Sequence, residues 1–177
     1  MDYESCEMLK AIRSRHPSEF GKACQVLLAI TCCRLGFRNV VERRSQGVDI
    51  DARSHPAFAD YSFEVKTTHS SSVSIGTKDV EGLEAKAKDS FRTAYAVLRP
   101  GLLSDWIIAG SKGIPAGNIP LGRFEARELP DIQCQVRRVF PHVLKEHAAE
   151  ILRIARNEVQ GYLQKCLADE KRKCRQR

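Results

Sequence analysis

An α/β fold, with a mixed sheet of about five strands flanked by helices, is predicted by three features of this 177-residue chain. Val48-Asp49-Ile50-Asp51 and residues 61–67 alternate apolar and polar side chains with a period of two, the mark of half-buried strands. Segments of helical period stand before and after them. The order helix, three strands, helix, two strands then places a crossover helix after the third strand. That connection permits a parallel neighbour in an otherwise antiparallel sheet.

The elements follow in order. Ser18, after Pro17, reads as a helix N-cap, with Glu19 in a first turn where the helix dipole favours an acid. The helix runs to about Leu35, and Gly36 is a natural residue to end it. Val26-Leu27-Leu28-Ala29-Ile30 make it apolar nearly all round, which predicts burial. Residues 39–44, 48–51 and 61–67 read as three strands whose connectors are short enough for an antiparallel meander. Thr77 is a plausible cap for a second helix, with Val80, Leu83, Ala87 and Phe91 at helical spacing and a Glu84–Lys88 pair outside. Tyr95-Ala96-Val97-Leu98 and Trp106-Ile107-Ile108-Ala109 are further strands, with Trp106 read as core, and residues 110–130 read as mostly loop. From Leu144 the apolar positions Ala148, Ile151, Leu152, Ala155, Val159, Tyr162, Leu163, Cys166 and Leu167 keep a helical period, giving one long C-terminal helix. Its stripe is read as packing on its own domain, with a homodimer interface as the alternative. The chain thus divides into a core over 1–130 and a helical extension over 131–177 with a basic tail.

Composition bounds the function. With 42% hydrophobic and 29% charged residues the chain is an ordinary globular one. No apolar run approaches the ~20 residues of a membrane span, and the first residues lack the basic start and apolar stretch of a signal peptide. Seven cysteines without a CxxC pair predict reduced, mostly buried thiols and a cytoplasmic location. The five histidines show no zinc-ligand spacing to them. The net charge is +7, but residues 171–177 alone carry five cations and no acid, and +7 less five leaves only +2 for the rest. A basic tail of that kind, including Lys171, Arg172 and Lys173, suits a polyanion such as DNA; a solvated helix end is the plainer reading.

The chemistry concentrates at Asp49 and Glu64-Val65-Lys66. An acid followed two residues later by lysine also occurs as Glu84-Ala85-Lys86 and Asp169-Glu170-Lys171. In a strand residues i and i+2 point the same way, whereas in a helix they sit roughly 200° apart. Only the copy at Glu64 lies in a strand, so only it aims an acid and an amine into one cleft. Asp49 on the neighbouring strand adds a second carboxylate. The alternative is a cross-strand ion pair on a solvated face, against which two adjacent acids repel unless a cation sits between them. Asp51 reads as an exposed carboxylate at a strand end, and less readily as a secondary ligand.

Over roughly residues 18–110 this arrangement resembles the restriction-endonuclease-like superfamily, the PD-(D/E)xK nucleases. The ending at Gly36-Phe37, the run Arg43-Arg44-Ser45-Gln46-Gly47-Val48-Asp49 and Glu64-Val65-Lys66 look most like archaeal-type Holliday junction resolvases and small restriction-type endonucleases. The resemblance implies a restriction-endonuclease-like core and an endonuclease cutting DNA with Mg²⁺, for which Mn²⁺ can substitute, and no organic cofactor. Asp49, Glu64 and the Val65 carbonyl would hold the metal, a set that suits an ion taking few carboxylates and keeping several waters. Lys66 would orient or deprotonate the attacking water, or stabilise the charge developing on phosphate, with burial lowering its pKa toward that role. Many members carry a first-helix glutamate where this chain has Gln25, which is weighed equally as a functional group and as buried polar core. Arg43, Arg44, Ser45 and Gln46 resemble a resolvase pattern of basic and hydroxyl residues that touch phosphate, with solvated strand-end charge the plainer reading; Thr67, directly after Lys66, could also meet the DNA backbone. Loss of catalysis with retention of DNA binding, or an unrelated assembly role for the C-terminal helix, are the competing functions.

Overall fold

The computed structural model describes residues 1–43, 47–100 and 105–175. In chain order the elements are α1 Tyr3–Arg15, α2 Phe20–Leu35, β1 Asn39–Glu42, β2 Ile50–Arg53, β3 Tyr61–Thr67, β4 Ser72–Ile75 and α3 Thr77–Lys88. They continue as β5 Arg92–Leu98, β6 Trp106–Gly110, β7 Gly117–Pro120, α4 Leu121–Glu125, α5 Pro130–Arg153 and α6 Val159–Arg175. The fold is α/β, with a five-stranded mixed sheet in the order β1-β2-β3-β5-β6. Short connectors make β1, β2 and β3 an antiparallel meander, and the crossover through α3 sets β5 parallel to β3. β6 returns antiparallel to β5.

Strand alternation divides the sheet into two faces. Ile50, Ala52, Tyr61, Phe63, Ala94, Ala96, Leu98, Trp106 and Ile108 join a large core with α2, α5 and α6. Tyr95, Val97, Ile107 and Ala109 join a smaller core on the other face, with Leu83 of α3 and Phe124 of α4. The all-round apolarity of α2 has a physical reason here: the helix packs on the sheet and is covered in turn by α5 and α6. Each of its fully buried Leu, Val and Ile side chains contributes about 1.5–3 kcal/mol relative to exposure. Gly36 ends it in the left-handed region, at φ 108°.

Several expectations change. The first turn of α2 starts after Glu19, not at Ser18; the Ser18 hydroxyl instead donates to the Glu19 carboxylate. An earlier helix, α1, went unread because only Cys6, Leu9 and Ile12 mark its buried side, packed against α5. Asp2 caps it, its carboxylate accepting the Ser5 N–H at 2.8 Å. Residues 110–130 are not mostly loop: β7 pairs with β4 in a separate two-stranded sheet, and α4 follows directly.

The C-terminal stripe is not one helix. α5 ends where Ile154 turns extended, Arg156–Glu158 form a short 3₁₀ turn, and α6 begins at Val159. Glu158 stabilises the restart by accepting the Ala155 N–H at 3.1 Å. Both helices bury apolar residues in the core shared with α2. Cys6, Cys24, Cys32 and Cys33 are buried thiols, and burial pushes the Cys32 thiol up to about 12. Among the described residues no helix is long and apolar enough to cross a membrane.

Candidate active site

The site forms where the β2–β3 ladder ends. Asp49 enters β2 with its N–H bonded to the Phe63 carbonyl at 2.9 Å, which leaves the Val65 N–H beyond the last ladder bond. The Asp49 carboxylate fills that vacancy, Oδ2 accepting the Val65 N–H at 2.8 Å. The period of β3 then turns Glu64 and Lys66 together toward α3, as the strand reading requires. Lys66 Nζ lies 2.8 Å from Glu64 Oε1 and 2.6 Å from Asp79 Oδ2. Asp79 stands in the first turn of α3 and also accepts the Gly76 N–H, at 2.9 Å.

Glu64 is 5% exposed, so its pair with Lys66 is not an ion pair on a solvated face. Its second oxygen, Oε2, is buried without a hydrogen-bond partner. Burial first, then the negative charge of Asp49, pushes the Glu64 carboxyl up to about 7 despite Lys66. Burial likewise raises Asp49, against the Val65 N–H and the positive charges of Lys22 and Lys66. Lys66 moves opposite to expectation. Burial alone would lower it, but the bonds to Asp79 and Glu64 outweigh burial and hold the ammonium above its ordinary value. Without a metal, Lys66 is therefore held as a cation between the two carboxylates.

Among the described residues no three His, Cys, Asp or Glu side chains form a metal-binding cluster. The donor set nonetheless fits a hard cation that needs few protein ligands. Burial raises the proton affinity of both carboxylates, the charge of Asp49 raises that of Glu64 further, and one Glu64 oxygen is buried and unsatisfied. A divalent ion between them would relieve both conditions.

Asp51 is the clearest correction. It is fully buried, accepting from Ser62 Oγ, from Arg43 Nε at 2.7 Å and from Lys86 Nζ at 2.7 Å. Burial works to raise its pKa, but those donors outweigh it and keep the carboxylate ionised. The lysine of the second acid-x-lysine copy thus serves as a structural partner, while Glu84 points elsewhere. In the third copy Asp169 pairs with Arg172, and Glu170 with Lys173.

Gln25 belongs to α2, on the face opposite α3. Its amide donates to Glu42 Oε1 at 3.0 Å and to the Asp49 carbonyl at 3.3 Å, and it accepts from Lys22 Nζ at 3.0 Å. It reaches Asp49 through the backbone and not through the carboxylate. Glu42 is itself held by Lys22 at 2.5 Å and by Gln164 at 3.0 Å. Arg43 is committed to Asp51. Thr67 ends β3 beside Gly21 of α2, while Arg44 and Ser45 lie outside the described residues.

The tail cations sit apart from the acids. α6 runs parallel to α2, with Gln164 reaching Glu42 near Gln25 and Cys174 reaching the Cys33 carbonyl. Lys171, Arg172 and Lys173 are therefore displaced about 12 Å along α2 from Gln25. Asp79, Lys22 and Glu42 were not singled out from sequence. A signal for Asp79 existed: an acid at the third position of a helix that returns over a strand bearing Glu-x-Lys.

No protein-family model matches the chain, and no curated protein matches it. Among solved structures it is similar to a Holliday junction resolvase from the archaeal hyperthermophile Archaeoglobus fulgidus. The two share 16% sequence identity and superpose with a TM-score of 0.44, over 57% of this chain and 84% of that one.

Proposed function

We propose that this chain is a Mg²⁺-dependent endodeoxyribonuclease, with Mn²⁺ able to substitute, that hydrolyses phosphodiester bonds of DNA. The observation that carries the reading is the buried, unsatisfied Glu64 Oε2 beside the Asp49 carboxylate, with the Lys66 ammonium fixed at the same place. Asp49 and Glu64 would hold the metal. The Val65 carbonyl points to the same strand edge as the Val65 N–H that Asp49 accepts, as the two groups of one strand residue do, and would complete the set. The bound metal would lower the pKa of its water and neutralise charge on the scissile phosphate.

The chain's own groups supply the rest. Lys66, kept protonated by Asp79 and Glu64, presents an ammonium to a phosphate oxygen and stabilises the charge that builds up there. Asp79 is a positioning residue, holding Lys66 from the α3 side. Thr67 at the end of β3, Arg44 and Ser45 by their place in the sequence, and the cations of the tail are assigned to the DNA backbone, where each contact strengthens binding at low salt; Arg43 could join them only with the guanidinium edge that Asp51 leaves open. A homodimer would let two such sites cut two strands.

Cleavage of supercoiled plasmid and of a labelled four-way junction, with Mg²⁺, Mn²⁺ or EDTA, tests the reading beside Lys66→Ala. The expected result is metal-dependent cutting that falls by a factor of about 10²–10⁴ in the variant. Equal traces in parent and variant mean contamination and sink the assignment. Metal-independent DNA binding without cutting would favour a non-catalytic module, a reading that Gln25 at the position of the superfamily's first-helix acid supports.

A further inference from the structure

Lys22 precedes Gln25 by three residues on α2, a spacing that puts the two side chains on one face. Its ammonium lies 2.5 Å from Glu42 Oε1 and 3.0 Å from Gln25 Oε1. Glu42 ends β1 with its side chain only 4% exposed. Its Oε1 also accepts from the Gln25 amide, and its Oε2 from the Gln164 amide, each at 3.0 Å. Glu42 is thereby committed to holding Lys22. The lysine itself is not enclosed, since 35% of its side chain reaches solvent. An ammonium has three donors, and among the described residues Lys22 spends two of them, on Glu42 and Gln25.

This cluster is joined to the acids at Asp49. Gln25, which accepts from Lys22, donates to the Asp49 carbonyl at 3.3 Å. Of the two lysine charges that act on the Asp49 carboxylate, that of Lys22 is the stronger. Lys66 comes to the same acids from the α3 side, where Asp79 holds it. The two lysines therefore share one construction: an ammonium gripped by a flanking acid, on either face of the sheet, with a donor to spare. Hydrolysis of a phosphodiester builds charge on both sides of the reacting phosphorus, and two-metal sites clamp it from both. Asp49 and Glu64 suit one ion that takes few carboxylates, so the second side of the clamp falls to the chain's own cations.

We propose that Lys22 is a second catalytic cation, whose spare donor meets a non-bridging oxygen of the phosphate held at Asp49 and Glu64, from the α2 side and opposite Lys66. The assignment rests on the nuclease reading and deepens it, giving the phosphate one ion and two ammoniums. The competing role is that of a counter-ion for buried Glu42 with no part in the reaction.

The test uses the full chain on the labelled four-way junction and the supercoiled plasmid, with Lys22→Met, Lys22→Arg and the double variant Lys22→Met, Glu42→Gln. Lys22→Met alone leaves Glu42 buried without its cation and does not separate chemistry from folding; the double variant removes both charges together. In Lys22→Met and in the double variant kcat is expected to fall by a factor of about 10²–10³, with KM within about threefold of the parent. Lys22→Arg, which keeps the cation, is expected to recover most of that loss. Calorimetric titration with Mn²⁺, without DNA, is expected to show the double variant binding the ion within about threefold of the parent. Parent-like kcat in the double variant makes Lys22 a counter-ion only and overturns the proposal. Loss of Mn²⁺ binding in the double variant overturns it too, by placing the effect of Lys22 on the metal. Lys66-dependent cutting by the parent beside either result leaves the nuclease standing without this residue. A parent that cuts neither DNA with Mg²⁺ or Mn²⁺ removes both readings.

Discussion

Gly47 and Gly82 meet backbone to backbone. A Cβ built on Gly82 would lie 2.6 Å from the Gly47 carbonyl oxygen, and one on Gly47 would lie 2.3 Å from the Lys78 carbonyl oxygen. Gly47 also needs the left-handed region, at φ 96°. This contact seats α3 against the turn that delivers Asp49, and so fixes Asp79 relative to Lys66. In an exposed helix Gly→Ala stabilises by about 1 kcal/mol. Here the added methyl has only backbone to displace, so Gly82→Ala is expected to destabilise by about 1–3 kcal/mol. Thermal melting decides by sign alone: a raised Tm would mean that the helix does not pack this closely.

Asp51 gives a second expectation, on stability and not on chemistry. Its carboxylate is buried among Arg43, Lys86 and Ser62. Asp51→Ala would strand Arg43 and Lys86, and leave Arg53, 3.7 Å from the same oxygen, without its acid as well, a loss on the order of 3–5 kcal/mol. Urea unfolding of the variant should show a large drop in midpoint. A drop under about 1 kcal/mol would restore the reading of Asp51 as an exposed strand-end acid.

Local periodicity made the central elements legible. The period of two placed β3 correctly and put Glu64 and Lys66 on one face, and short connectors were enough to give the antiparallel meander. What was hidden depended on pairing at a distance. Asp51 alternates in sequence like an exposed residue, and nothing local says that Lys86 of α3 will descend on it. β4 has a partner only because β7 returns over forty residues later, so neither half looks like a strand alone. The break between α5 and α6 hides because Ile151 and Val159, on either side, both face the same core and preserve the apolar rhythm.

Glu64 sets a pH dependence. Its folded pKa, about 7, lies above the 4.5 of an ordinary glutamate, so between those values the folded state binds more protons than the unfolded one. Stability therefore falls as pH rises through that window, by a total on the order of 3 kcal/mol. Below about 4.5 the term is constant, and above about 7 the full loss remains. In EDTA, Glu64→Gln should flatten the dependence between pH 5 and 8 and be more stable than the parent at pH 8. A parent whose midpoint is flat over that range would contradict the burial and charge crowding assigned to this carboxylate. Mg²⁺ should stabilise the parent more at pH 8 than at pH 5, because the ion competes with the proton for the same oxygens.

Gln25→Glu would supply the acid that resembling nucleases carry on the first helix, and the surroundings of Gln25 argue that it would not act as one. The amide donates to Glu42 Oε1 and to the Asp49 carbonyl, both of them acceptors. A carboxylate there faces the Glu42 carboxylate with no proton to give, and Lys22 would have to serve two acids at once. The expected result is a destabilisation of about 1–3 kcal/mol at pH 8, recovered toward pH 5 as the new acid takes up a proton. Cleavage with Mg²⁺ should not rise above the parent. A gain in metal-dependent cutting with unchanged stability would instead mean that the side chain swings past the Asp49 backbone to the metal side. Comparing melting at the two pH values with cleavage by the same preparation separates the outcomes. Repulsion between the introduced carboxylate and Glu42 is relieved by protons, whereas a new metal ligand is strengthened by their removal.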